Sequence, residues 1–111
     1  MPKSRVSDLL VCIQHLVAGS PLPYTMKVRE YIEENEYEEA DIRNAIMTAK
    51  RIHKSEPDEM HAATDGMKHV IIGRDLEGRP FYLCGKIIQL PTGIRAFQVM
   101  TAHVARDRQR R

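Results

Sequence analysis

The chain has no tryptophan, four tyrosines, two phenylalanines and only two cysteines in 111 residues. Cys12 and Cys84 lie far apart in apolar surroundings, which excludes a disulfide framework and a C-x-x-C metal or redox motif. Both are expected as buried free thiols in a reducing compartment. The few aromatics exclude an RRM-type strand that stacks successive bases, and no segment reads as a helix-turn-helix recognition helix. A nucleic-acid-binding regulator is therefore the weakest of the readings below. No apolar run has the length of a transmembrane helix, and the amino terminus lacks an apolar leader. A cytoplasmic protein without a membrane partner is expected.

Metal ligands are also scarce. His61 and His69 fall on opposite faces of a predicted hairpin across Asp65-Gly66, and no second cysteine or carboxylate stands at ligand spacing. Neither a metal nor a cofactor is expected. His15 and His53 read as helix-surface residues.

What is present suits one soluble domain over residues 1–111, with 42% hydrophobic and 29% charged residues. Charge is unevenly spread. Residues 30–41 hold seven acids and no base, whereas residues 68–111 hold nine Lys or Arg against three Asp or Glu. Such asymmetry can orient a chain on a polyanion, although composition alone favours a solvated helix surface beside an ordinary basic terminus. Much of the acidic patch has a structural origin: Glu38, Glu39 and Asp41 fall in the first turn of a helix, with Lys50, Arg51 and Lys54 near its end, as the helix dipole favours.

The chain changes character near Glu56-Pro57-Asp58. Helical spacing predicts helices within about residues 4–54. The first, from Ser4 to Ala18, carries the stripe Val6, Leu9, Leu10, Ile13, Leu16 and Val17. Gly19, Pro21 and Pro23 end it. A second starts near Thr25 with Val28, Tyr31 and Ile32 inward. After a break at Asn35-Glu36-Tyr37, a third is lined by Ile42, Ala45, Ile46, Ala49 and Ile52. Beyond the change, turn residues predict a four-strand antiparallel meander over about 59–105, with strands near 59–64, 67–75, 79–90 and 94–105. The turns fall at Asp65-Gly66, Gly78 and Pro91-Thr92-Gly93. The fold class is α+β, with amino-terminal helices packed on one face of the sheet. A basic tail, 106–111, follows.

This register places Phe81, Leu83 and Ile87 with Ile71, Phe97 and Val99 on an apolar face. The other face carries Val70, Ile72, Ile88 and Met100 together with His61, Arg74, Tyr82, Lys86 and Gln98. His103 falls opposite Phe81 on the apolar face, and joins the mixed face only if a bulge or a sheet end turns it.

The run Tyr24-Thr25-Met26-Lys27-Val28, then Ile32 and Asp41-Ile42, resembles a small domain-of-unknown-function family allied to the BrnT and RelE/ParE toxins. That family has a Tyr-Thr-x-His-Ala start followed by Met, Arg and Asp-Val at matching intervals. Val70-Ile71-Ile72-Gly73-Arg74-Asp75 with Gly78-Arg79-Pro80 is similar to its strand–Gly-Arg–strand hairpin. Thr101-Ala102-His103-Val104-Ala105 is similar to the final strand, where BrnT-type chains have Ser-Ala-Arg-x-Ala. The likeness spans about residues 7–105. Lys27 stands where the family often has His, Asn35 where it has Arg, and His103 where BrnT-like chains have Arg. The resemblance implies a RelE-like fold and a toxin of a toxin–antitoxin pair that cleaves RNA, often mRNA on the ribosome, and is neutralised by a cognate antitoxin.

Metal-free RNA cleavage needs a base for the 2′-hydroxyl, an acid for the leaving oxygen and cations for the phosphorane. On that chemistry His103 is the first candidate acid–base and His61 the second. Arg74 and Lys86 would hold the scissile phosphate, and Tyr82 would stack on a base or assist proton transfer. Lys27, Arg95, Arg106 and Arg108 are the candidate RNA contacts. Each has a plain structural alternative: His103 closing the edge of the core, Arg74 as an exposed hairpin charge, Tyr82 as packing, the tail as a solubilising end. The competing functional reading is a non-enzymatic interaction module of the same fold, binding a protein partner through Met60, Met67 and Met100.

Overall fold

Leu10, Ile13 and Val17, three members of the predicted first stripe, are buried on a helix, α1 (Arg5–Gly19), in a computed structural model that describes residues 5–19 and 21–104. Ser4, the expected start of that helix, and the basic tail 106–111 lie outside the described residues. Next come α2 (Met26–Glu33) and α3 (Glu39–Thr48). Asn35 separates them in a left-handed conformation at φ 62°, which asparagine tolerates better than most side chains. A reciprocal box starts α3. The Glu38 side chain accepts from the Asp41 N–H, and the Glu38 N–H donates to Asp41 Oδ2 at 2.9 Å.

The strands are β1 (Ile52–Pro57), β2 (Met67–Arg74), β3 (Pro80–Gln89) and β4 (Arg95–Val104), antiparallel in the order β1-β2-β3-β4. The first strand corrects the sequence expectation. α3 stops at Thr48, Ala49 is extended at ψ 145°, and Ile52 opens β1 opposite Ile71. Ile52 fits the helical stripe after Ala49 and fits a strand equally well, so only its pairing with β2 decides between them. Residues 59–64 are not a strand. They belong to a connection, 58–66, whose end carries Gly66 at φ 78°, so Asp65-Gly66 is not a two-residue hairpin turn. Gly78 at φ 86° and Gly93 at φ 92° make the two later turns where expected.

Three helices pack against the sheet around one apolar cluster that includes Ile13, Val28, Ile42, Ile46, Ile71, Phe81, Leu83, Phe97 and Val99. α3 crosses β2 at Gly73, where an added Cβ would sit 2.8 Å or less from the Ala45 backbone. Asn44 Nδ2 donates to the Arg74 and Asp75 carbonyls at 2.9 and 3.1 Å, and the Arg74 N–H donates to Thr48 Oγ1 at 2.9 Å. These bonds satisfy the part of β2 that reaches beyond β1. Gly85 is equally constrained, because a Cβ there would meet the Phe97 ring at 2.6 Å. Cys12 is exposed and Cys84 half-buried, both free, which corrects the expectation of two buried thiols.

Because the obstruction at Gly73 is backbone rather than a movable side chain, Gly73→Ala should cost about 3 kcal/mol or more. Urea unfolding measures it, and a loss below 1 kcal/mol would show that α3 shifts freely over β2.

Candidate nucleic-acid interface

The helices pack on the face that carries Ile71, Phe81, Leu83 and Phe97, so alternation along the strands sends their neighbours to the opposite face. The pairs Ile72↔Tyr82 and Tyr82↔His103 make one row across β2, β3 and β4. Lys54↔Val70, Val70↔Cys84 and Cys84↔Thr101 make the next row across all four strands. His103 reaches this face through a bulge. Cys84 pairs with Thr101 and Gly85 with Val99, leaving Met100 as the extra residue. The register beyond the bulge is moved by one, which places His103 beside Tyr82 rather than opposite Phe81. Their rings stack with centroids 4.8 Å apart and planes 9° from parallel.

The chain before α2 supports this bulge from the outer side of β4. Tyr24 bridges Val99, the Thr25 N–H donates to the Val99 carbonyl at 3.1 Å, and Thr25 Oγ1 donates to the Met100 carbonyl at 2.9 Å. Thr25 holds the N-cap position of α2 without a side-chain cap bond, and Lys27 in the first turn lies close enough for its charge to act on His103. Burial lowers the pKa of His103, and the Lys27 ammonium lowers it further. The ring is therefore held neutral, and able to accept a proton, at pH values where a free histidine is partly charged.

The other end of the Ile72–Tyr82–His103 row opens into a cleft of about 560 Å³, lined by Thr48, Lys50, Arg51, His53, Ile72, Gly73, Arg74 and Pro80. Three of these eight residues are permanent cations and none is an acid. His53 enters the cleft as the extra residue of a second bulge, between the pairs Ile52↔Ile71 and Lys54↔Val70. Among the described residues Lys27, Lys50 and Arg51 form no ion pair. Lys54, in contrast, pairs with Glu56 at 2.9 Å, and both are largely in solvent, where such a pair contributes little.

Of the residues chosen from sequence, the structure brings His103, Tyr82 and Lys27 together, with Arg74 beyond Ile72. Arg74 donates through Nη1 to the Gly78 carbonyl at 2.8 Å, so part of its guanidinium is engaged within its own hairpin. Lys86 is not available. Its side chain is 3% exposed, and its ammonium is held by Asp58 Oδ1 and Oδ2 at 3.1 and 3.2 Å. His61 is exposed in the 58–66 connection at φ 57°, on the Asp58 side of the sheet rather than beside His103. Arg95 begins β4, roughly 25 Å from His103 at about 3.3 Å per residue along the strand. Arg106 and Arg108 lie outside the described residues. The sequence reading missed Lys50 and Arg51 as site residues because it assigned them to the end of a longer helix. Their position just before β1 became visible only once the β1–β2 pairing was known.

Asp58 explains why Lys86 turned inward. Burial alone would raise its pKa. The Ala63 N–H, the Lys86 ammonium and the Ala62 and Met60 N–H groups outweigh that effect and hold the carboxyl well below the usual carboxylate range. A lowered folded pKa means that its stabilisation is complete above the unfolded value, near 3.8, and is lost as pH falls through the folded value. Thermal melts from pH 7 to pH 2 should therefore show an acid limb that is flatter in Asp58→Asn. Lys86→Met alone should be less stable than Asp58→Asn/Lys86→Met, because it leaves a buried carboxylate unpaired. Equal melting points for the two variants would refute that account.

Neither a family model, nor a characterised protein, nor a solved structure matches the chain.

Proposed function

We propose that the uncovered sheet face binds single-stranded RNA and that the chain is a metal-independent endoribonuclease of RelE-like fold, the toxin of a toxin–antitoxin pair. The observation that carries this reading is one continuous row, His103–Tyr82–Ile72, with cations at both ends that form no ion pair among the described residues: Lys27, whose charge acts on His103, at one, Lys50 and Arg51 at the other. Stacked rings between cations suit a chain of bases joined by phosphates, since every base presents a π-face and every linkage a negative charge. In this arrangement the neutral His103 removes the 2′-hydroxyl proton. The 2′-oxygen attacks the adjacent phosphorus, and the 5′-oxygen leaves, taking its proton from Tyr82 or water. Lys27 offsets charge on the phosphorane. The products are a 2′,3′-cyclic phosphate and a free 5′-hydroxyl. A cognate antitoxin covering this row would block both binding and cleavage.

The placement of Lys86 favours a second reading. With Lys86 buried against Asp58 and Arg74 bonded to Gly78, two of the cations expected to stabilise a phosphorane are committed elsewhere. The same face would then be a contact surface without turnover.

Binding of a fluorescently labelled single-stranded RNA decamer, followed by anisotropy in EDTA at several salt concentrations, tests the surface. Tyr82→Ala should weaken binding by roughly 5- to 150-fold, from about 1–3 kcal/mol per stacked base. Lys27→Ala should reduce the salt dependence by about one phosphate contact. No binding at low salt would end the proposal. Cleavage that yields a cyclic phosphate and is lost in His103→Ala with binding retained supports the nuclease. Binding with intact RNA supports the contact surface.

A further inference from the structure

Ser55 of β1 stands directly across from His69 of β2, on the face opposite the Tyr82–His103 row. Ser55 Oγ lies 2.6 Å from His69 Nδ1, and His69 Nε2 lies 3.0 Å from Asp65 Oδ2. The histidine is 1% exposed, whereas Ser55 is exposed. The proton positions follow from the partners. A carboxylate only accepts, so Nε2 carries the hydrogen and donates to Asp65. In the neutral ring Nδ1 is then an acceptor, and the Ser55 hydroxyl must donate to it. Asp65 is itself held, because its Oδ1 accepts from the Met67 N–H at 3.0 Å. Hydroxyl, imidazole and carboxylate are thus joined in one line with a single orientation, the imidazole buried and the hydroxyl and carboxylate ends both meeting solvent.

We propose that Ser55 is an activated nucleophile for acyl transfer, with His69 as its base and Asp65 as the positioning residue that fixes the tautomer. This activity is independent of the RNA-binding face. The chemistry is that of a serine hydrolase relay with the two ring nitrogens exchanged. Ser55 Oγ attacks the carbonyl carbon of an ester and its proton passes to His69 Nδ1. The bond to the leaving alcohol breaks, and that alcohol takes the proton from Nδ1. Water, deprotonated by the same nitrogen, then releases the acid and restores the serine. β1 is an edge strand bonded only to β2, and N–H groups along such a strand alternate between its two sides. An outward N–H therefore lies within one residue of Ser55, and in the proposal it donates to the carbonyl oxygen as charge develops there. An exposed serine on a sheet edge suits small, unhindered esters.

A fluorophosphonate tests the nucleophile directly. Ser55 Oγ displaces fluoride, the P–F bond breaks, an O–P bond forms, and His69 takes the proton. Intact mass and peptide mapping should locate the label at Ser55, formed about 100-fold or more faster than in the urea-unfolded chain. Ser55→Ala should remove it. Asp65→Asn keeps an acceptor for the Met67 N–H but presents an amide donor to His69, which reverses the tautomer. Labelling should fall at least about tenfold, and the ring ¹⁵N shifts should move the hydrogen from Nε2 to Nδ1. Should either variant unfold, the wild-type comparison with the unfolded chain still decides. Ser55 reacting no faster than in the unfolded chain, or a wild-type ring with hydrogen on Nδ1, would overturn the proposal.

Discussion

One extra residue in β4, Met100, decides which side chains of the last strand meet the helices and which meet solvent. Side-chain direction in a strand has a period of two, so inserting one residue exchanges the faces for everything beyond it. Before the bulge Phe97 and Val99 enter the core. After it Ala102 does, and His103 turns to the open face. The bulge persists because its backbone is held: Thr25 donates from Oγ1 to the Met100 carbonyl and from its N–H to the Val99 carbonyl. The same threonine starts α2 and thereby delivers Lys27. One short segment thus shapes the strand, sets the histidine's direction and places the cation that perturbs it.

The other end of the sheet is organised by a charge rather than by register. Asp58 is 4% exposed, yet it gathers three backbone N–H groups and the Lys86 ammonium. An unpaired buried lysine and a loop with unsatisfied amides would each be unfavourable. A single carboxylate answers both needs and draws the 58–66 connection over that part of the face. The chemistry left exposed is therefore at the Tyr82–His103 end. Asp75 plays a comparable part in the β2–β3 turn, accepting from the Glu77 and Arg79 N–H groups and from Arg79 Nε.

The two candidate sites occupy the two faces of the same sheet and share no side chain. On the open face, the half-buried Tyr82 ring and the exposed His103 ring are stacked. On the helix-covered face, at the β1 edge, one buried imidazole is fixed between a hydroxyl and a carboxylate. Both depend on β1 lying where it does: Arg51 and His53 line the cleft, and Ser55 faces His69.

Much was legible without coordinates. Apolar spacing placed Ile13, Val28, Ile42 and Ile46 in the core. Asn35 marked the break between two helices, Gly78 and Gly93 marked the later turns, and helices followed by strands indicated an α+β fold, because local patterning reflects which face each element must bury. Alternation placed Tyr82 and Arg74 on one sheet face, as the pairing of β2 with β3 has them, whereas Lys27 was singled out through the family resemblance. Tertiary structure alone decided the rest. Ile52 satisfied helix and strand patterns alike until Ile71 paired with it. Lys86 looked available until Asp58, 28 positions away, claimed it. His103 changed face through a bulge that no residue type announces. Ser55, Asp65 and His69 form no recognisable spacing, since what joins them is cross-strand pairing, and pairing is a property of the assembled sheet rather than of any local stretch of chain.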